Sequence, residues 1–118
     1  MKYAIVLENG HYFVKNDTDN KVLYNLSFLI DSSNTDRETE FLEEVKKMRS
    51  GVSKHYIYEE NDFTLEIKEN KVEIVNDNIM DTTSNRDILT TQDFMEIIAS
   101  AINFKQNNKV WSYGVFLL

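Results

Sequence analysis

The sequence predicts an α+β domain: an antiparallel sheet of about five or six strands with two helices packed on one face. Three observations carry this. Phe63, Leu65 and Ile67 alternate with Thr64, Glu66 and Lys68, the period of a half-buried strand. Asn9-Gly10 sits between two apolar runs and is a strong hairpin signal, because both residues tolerate positive φ. Two stretches, around Phe41–Met48 and Phe94–Ile102, repeat their apolar residues at helical spacing.

In chain order the elements read β-β-β-α-β-β-α-β. Tyr3 to Leu7 is a strand, and His11 to Val14 is its return partner across Asn9-Gly10. Asn16 to Asn20 is polar and reads as a loop. Val22 to Ile30 is dense in apolar residues and is read mainly as a third strand. Asp31 to Asn34 is a loop. Thr35 with Glu38 three residues on fits a capping box, so a helix starts near Asp36. Its apolar face holds Phe41, Leu42, Val45 and Met48, its last turn is basic, and Gly51 stops it.

Lys54 to Tyr58 reads as the next strand, turned at Asn61-Asp62 into Phe63–Lys68. Asn70-Lys71 turns again into Val72 to Val75. Asn76 to Asp87 reads as a long polar loop with Ile79 and Met80 pinned to the core. Thr90 or Thr91 caps the second helix, whose stripe is Phe94, Ile97, Ile98, Ala101 and Ile102 and which ends around Gln106-Asn107-Asn108. Val110 to Leu118 is almost wholly apolar and reads as a last strand, central in the sheet or packed at an interface.

The 118 residues suit one domain, residues 1–118, with no Pro, no Gly/Ser linker and no repeat to divide it. Hydrophobic residues at 42% and charged residues at 28% give a globular balance. The absence of cysteine removes disulfides, thiolate chemistry and cysteine metal sites. The apolar run Tyr3–Leu7 is too short for a signal peptide, and no stretch approaches the ~20 apolar residues of a bilayer span. The reading is a cytoplasmic protein. Thirteen bases against 20 acids give a net charge of −7. That sign disfavours nucleic acid and anionic membranes as direct partners and suits a basic protein. It also suits plain dispersal in solution.

Catalytic patterns are missing. His11 and His55 are isolated, without a ligand partner at i+3 or i+4. Three glycines cannot build a phosphate loop. Asp17 and Asp19 have calcium-loop spacing, but Val22 and Phe28 occupy the positions that need Gly and Glu. No metal or cofactor is expected, and an enzyme is not the favoured reading. Carboxylate pairs are numerous, but 20 acids in a chain this short pair by chance. The aromatics, among them Tyr12, Phe13, Tyr24, Tyr58 and Trp111, suit core packing first and a protein-binding patch second.

The acids cluster. Residues 31–44 hold six acids and one base, and residues 59–81 hold eight acids and two bases. From these segments Asp31, Asp36, Glu40, Glu44, Glu66, Glu73, Asp77 and Asp81 are the candidate partner-binding residues. Glu66 and Glu73 fall opposite the apolar face of their hairpin, and the helix dipole offers no reason for them.

The stretch from Phe63 to Phe104 runs strand, tight turn, strand, polar loop, then ILTTQDFMEIIASAINF. With Thr91, Asp93, Phe94, Ile97 and Ile98 in that helix, it resembles the C-terminal half of small bacterial immunity proteins encoded beside polymorphic toxins, contact-dependent growth inhibition systems included. The resemblance covers about a third of the chain. It implies a cytoplasmic antitoxin that binds a toxin domain, commonly a nuclease with a basic cleft, and blocks it without catalysis. The alternative is a structural or adaptor protein that assembles through a sheet edge.

Overall fold

The computed structural model describes residues 3–16, 19, 21–60, 62–81 and 84–107, and the backbone of 113–117. The α+β class holds, but there are two antiparallel sheets and three helices. β1 (Tyr3–Glu8), β2 (His11–Asn16) and β7 (Tyr113–Leu117) form one sheet in the order β2-β1-β7. β3 (His55–Glu60), β4 (Phe63–Lys68), β5 (Lys71–Asn76) and β6 (Arg86–Thr90) form a second, a simple meander. The helices are α1 (Tyr24–Ser32), α2 (Thr35–Arg49) and α3 (Thr91–Asn107).

The hairpin turn is the expected one, with Asn9 at φ 52° and Gly10 at φ 81°. β1 is the central strand of its sheet, paired on both sides, and Tyr3 through Leu7 are buried. The last strand therefore lies at an edge of the described sheet rather than at its centre. Val110, Trp111 and Leu118 lie outside the described residues. In the meander, Leu65 faces Ile74, Ile67 faces Val72, and Val72 faces Leu89. This inner row is buried, with α2 packed against β4 and both α1 and α3 against β5 and β6. β6 takes in Arg86 and Asp87, expected in the polar loop, and Thr90, expected as a helix cap. Ile79 and Met80 are exposed, Met80 by 92%, so the loop is not pinned to the core through them.

The largest correction is α1, where a strand was expected. Leu26, Leu29 and Ile30, at i, i+3 and i+4, are all buried, which is a helical face in a run too short to declare its period. The helix has no local cap at its N-terminus, where Leu23 offers no side-chain bond and the first turn has no acid. Its last turn has no base, and the Ser33 hydroxyl donates to the Leu29 carbonyl there (2.7 Å). Both ends are also held from far away in sequence. Asp87 Oδ2 accepts the N–H groups of Asn25 (2.8 Å) and Leu26 (2.9 Å). Lys105 Nζ donates to the carbonyls of Ile30 (2.5 Å) and Ser33 (2.8 Å). An anion at the N-terminus and a cation at the C-terminus match the helix dipole.

α1 in turn closes the exposed edge of β2. The N–H of Tyr12 donates to Asp31 Oδ1 (2.9 Å) and that of Val14 to Ser27 Oγ (2.7 Å). The N–H of Asn16 donates to the Lys21 carbonyl (2.7 Å). Ser27 and Asp31 are one helical turn apart, so a single helix face caps alternate residues of the strand. An edge strand left unpaired would invite pairing with another chain.

The second helix starts one residue earlier than expected. Asn34, not Thr35, is the cap, and its side chain accepts from the Arg37 N–H at 2.8 Å. Glu38 is no capping-box partner. It turns inward, is 0% exposed, and meets Lys105 Nζ at 2.7 Å. Its other oxygen, Oε1, has no hydrogen-bond partner among the described residues. Phe41, Val45 and Met48 form the expected buried face, with Leu42 partly buried, and Gly51 at φ 79° ends the helix. In α3, Thr90 Oγ1 accepts from the Asp93 N–H (3.0 Å), and Phe94, Ile97, Ile98, Ala101 and Phe104 are buried. No helix of the described residues is long and apolar enough to cross a membrane.

Burial pushes the Glu38 carboxyl up from 4.5 to about 7, against the pull of Lys105. A carboxyl whose folded pKa is raised stabilises the fold fully below its unfolded pKa, and that contribution is lost as pH rises through the folded value. Unfolding free energy is therefore expected to fall between pH 4.5 and 7, by on the order of 3 kcal/mol at 1.36 kcal/mol per pKa unit. Glu38→Gln should flatten this slope in urea titrations across the window. Lys105→Met should cost roughly 1–3 kcal/mol at neutral pH, because the Ile30 and Ser33 carbonyls lose their donor while Glu38, freed of the pull of Lys105, takes up a proton. Asp87→Ala should cost about 1–2 kcal/mol and speed exchange of the Asn25 and Leu26 amides.

Candidate functional site

The four-stranded sheet leaves one face uncovered. Its central row runs Ile57–Glu66–Glu73–Ile88 across the strands, with both isoleucines about half exposed. The two glutamates stand directly opposite each other, as the alternation requires. They are not free charges. Glu66 meets His55 Nε2 at 2.6 Å and Lys68 at 3.5 Å, and the His55 bond, ahead of the lysine's charge, holds its carboxyl below the usual range. Glu73 meets Arg86 at 2.7 Å and Lys71 at 3.9 Å. Like charges opposed on a sheet repel, and each is neutralised from its own outer strand.

The helix acids behave similarly. Glu40 pairs with Arg37 (2.9 Å) and accepts from the Tyr56 hydroxyl (3.3 Å). Burial, with Glu40 second, pushes that hydroxyl up to about 12. Glu44 pairs with Lys47 at 3.1 Å and Glu43 with Lys46 at 3.3 Å, both at i,i+3 spacing. Asp31 holds the Tyr12 N–H and His11 Nδ1 (2.9 Å), which makes it an edge cap. Asp36 is exposed in the first turn of α2, where it suits the dipole. The eight candidates thus do not form one surface.

A different set does gather. Glu59, Glu60, Asp62 and Asp77 lie at one end of the meander. The Asp77 N–H donates to the Asp62 carbonyl (2.7 Å), Asp77 Oδ2 accepts from Thr64 (2.9 Å), and the Tyr58 hydroxyl donates to Glu60. None of these four acids meets a Lys or Arg among the described ion pairs. Asp81 follows in the same loop, exposed and bonded through its carbonyl to the N–H groups of Ser84 and Asn85. Asp17 lies outside the described residues. No cluster of metal-ligating side chains occurs among those that are described.

Beside this acidic end is a surface the sequence reading missed. Tyr24 is 67% exposed and Phe28 is 58% exposed, both on the outer side of α1. With Tyr12, Phe13 and Ser27 they wall a hollow of about 300 Å3, closed at one end by the His11–Asp31 pair. Reading residues 22–30 as a strand put Tyr24 and Phe28 on one face with Leu26 and Ile30. The helical spacing separates them. Phe28 also packs on Phe63, ring centroids 5.0 Å apart, and Phe63 faces Glu60 across the β3–β4 hairpin. The aromatic hollow and the acidic end are therefore continuous.

Internal and free acids should respond differently to reversal. Glu73→Lys places a third cation beside Arg86 and Lys71 and should cost about 1 kcal/mol in denaturant unfolding. Glu59→Lys, exposed and without an ion pair, should stay within roughly 0.5 kcal/mol of the parent.

Compared with family models, with curated proteins and with solved structures, the chain has no match.

Proposed function

We propose that this chain is a cytoplasmic immunity protein that binds a toxin domain, in kind a nuclease with a basic cleft, and neutralises it by occupying or crowding that cleft. The observation that supports this best is the set of acids without a basic partner, Glu59, Glu60, Asp62 and Asp77, at one end of the meander. An exposed carboxylate that no internal base neutralises projects its field into solvent, where it steers a cationic partner and raises the association rate. The sequence resemblance of Phe63–Phe104 to immunity proteins points the same way. The paired acids Glu40, Glu44, Glu66 and Glu73 hold the chain's own elements together, so their contribution to steering is the smaller one.

The assembling-adaptor reading draws on the C-terminal strand, and β7 does lie at an edge of its sheet. The β2 edge of the same sheet is capped by Asp31, Ser27 and Lys21.

The test is co-expression with the toxin encoded immediately upstream, scored as growth protection, and binding kinetics on the purified pair. Asp62→Lys with Asp77→Lys should lower the on-rate about tenfold at low salt, with the gap closing as salt rises past ~0.5 M. Failure of the parent chain to protect growth or to bind would overturn the reading.

A further inference from the structure

Steering charge sets how fast a partner arrives, but residence depends on buried anchors. The chain holds two large aromatic side chains where solvent would normally exclude them. Tyr24 and Phe28 stand one helical turn apart on α1, and neither contributes to the core cluster. The hollow they wall is pre-formed. Its floor carries Ser27 Oγ, fixed to the Val14 N–H at 2.7 Å, and its far end carries Asp31, fixed to the Tyr12 N–H at 2.9 Å. Rigid walls mean that an incoming side chain is seated without ordering the site first.

We propose that this hollow receives a single bulky apolar side chain, tryptophan or leucine in kind, carried by the basic toxin domain on a segment that is lysine- or arginine-rich beside it. Charge complementarity fixes the occupant and its direction. From the hollow, Phe28 leads through Phe63 to Glu60, Asp62 and Asp77, which carry no internal base. On the other side of Tyr24 the neighbouring hollow holds Lys21, Arg86 paired with Glu73, and Asp87 turned onto the α1 amides, so its charges do not draw a basic segment that way. The cationic residues of the partner therefore run from the anchor toward the acidic end. A second copy of this chain, with net charge −7, is a poor source of such a cationic segment. This inference rests on the proposed antitoxin role and names the part of the partner that is gripped.

The probe is a labelled pentapeptide with a central tryptophan between two pairs of lysines. Two controls replace the tryptophan by glycine or the lysines by glutamates. Titrated into the 15N-labelled full chain, the first should shift the amide signals of Phe13, Tyr24, Phe28, Glu60 and Asp62 together and saturably. Both controls should bind at least tenfold more weakly, and Tyr24→Ala or Phe28→Ala should each cost at least fivefold, in keeping with anchor residues. Tyr24→Ala serves as the reference variant because its exposed ring contributes little to the fold. Equal binding of the three peptides, or shifts that avoid α1, would overturn the proposal. So would groove shifts that grow with protein concentration alone, since these mark a second copy as the occupant. Growth protection separates the two claims. If Tyr24→Ala/Phe28→Ala protects as well as the parent, the anchor site fails and the antitoxin role stands. If the peptide seats but the parent does not protect, the antitoxin role fails and the groove stands.

Discussion

α1 exists because two charges from the other end of the chain hold its ends. A nine-residue helix is too short to be stable alone, and this one has no local cap at its N-terminus. Asp87, on β6, supplies the anion at its first turn, and Lys105, on α3, supplies the cation at its last. Lys105 does more than cap. The same ammonium meets buried Glu38 of α2 and lies 5.1 Å from the Tyr12 ring centroid. One side chain thus joins α1, α2, α3 and β2. The junction is expensive in desolvation, and its value lies in fixing geometry, since an unpaired charge at this depth would be worse than either partner alone.

The placement of α1 decides the rest of the functional surface. With the helix in place, Ser27 and Asp31 satisfy the β2 edge, and the chain presents no free strand there. The opposite side of the helix is left to solvent, and it carries Tyr24 and Phe28. Acidity is sorted in the same way. Five of the eight candidate acids, Asp31, Glu40, Glu44, Glu66 and Glu73, are engaged inside the molecule. Glu59, Glu60, Asp62 and Asp77, which meet no Lys or Arg among the described ion pairs, lie together at one end of the meander. A long-range field and a short-range apolar anchor thus share one end of the molecule, a division of labour that suits fast and durable protein binding.

Much of this was legible in the sequence. The Asn9-Gly10 hairpin, the β4–β5 alternation, the faces of α2 and α3 and the Gly51 stop all depend on residues close in sequence, and all stand as read. The failures share a cause. α1 was missed because its caps lie 62 and 75 positions away, and a short apolar run cannot declare its period without them. In hindsight Leu26, Leu29 and Ile30, with Ser27 and Asp31 four apart, carried the helical spacing. β6 was missed because only pairing with β5 makes Arg86–Thr90 a strand. Glu38 matched the capping-box spacing, but Asn34 took the cap and Lys105 drew the carboxylate inward. The acidic segments are plain in the sequence, but the eight acids chosen from them do not share one surface. Which of them were already spoken for could not be read without knowing that His55, Lys71 and Arg86 stand beside them.

The most direct measurement is amide hydrogen exchange of the chain with and without the purified product of the gene immediately upstream. Protection confined to Tyr12–Phe13, Tyr24–Asp31 and Glu59–Glu60 is the predicted footprint. Protection centred instead on Ile57, Glu66, Glu73 and Ile88, the open face of the meander, would contradict it.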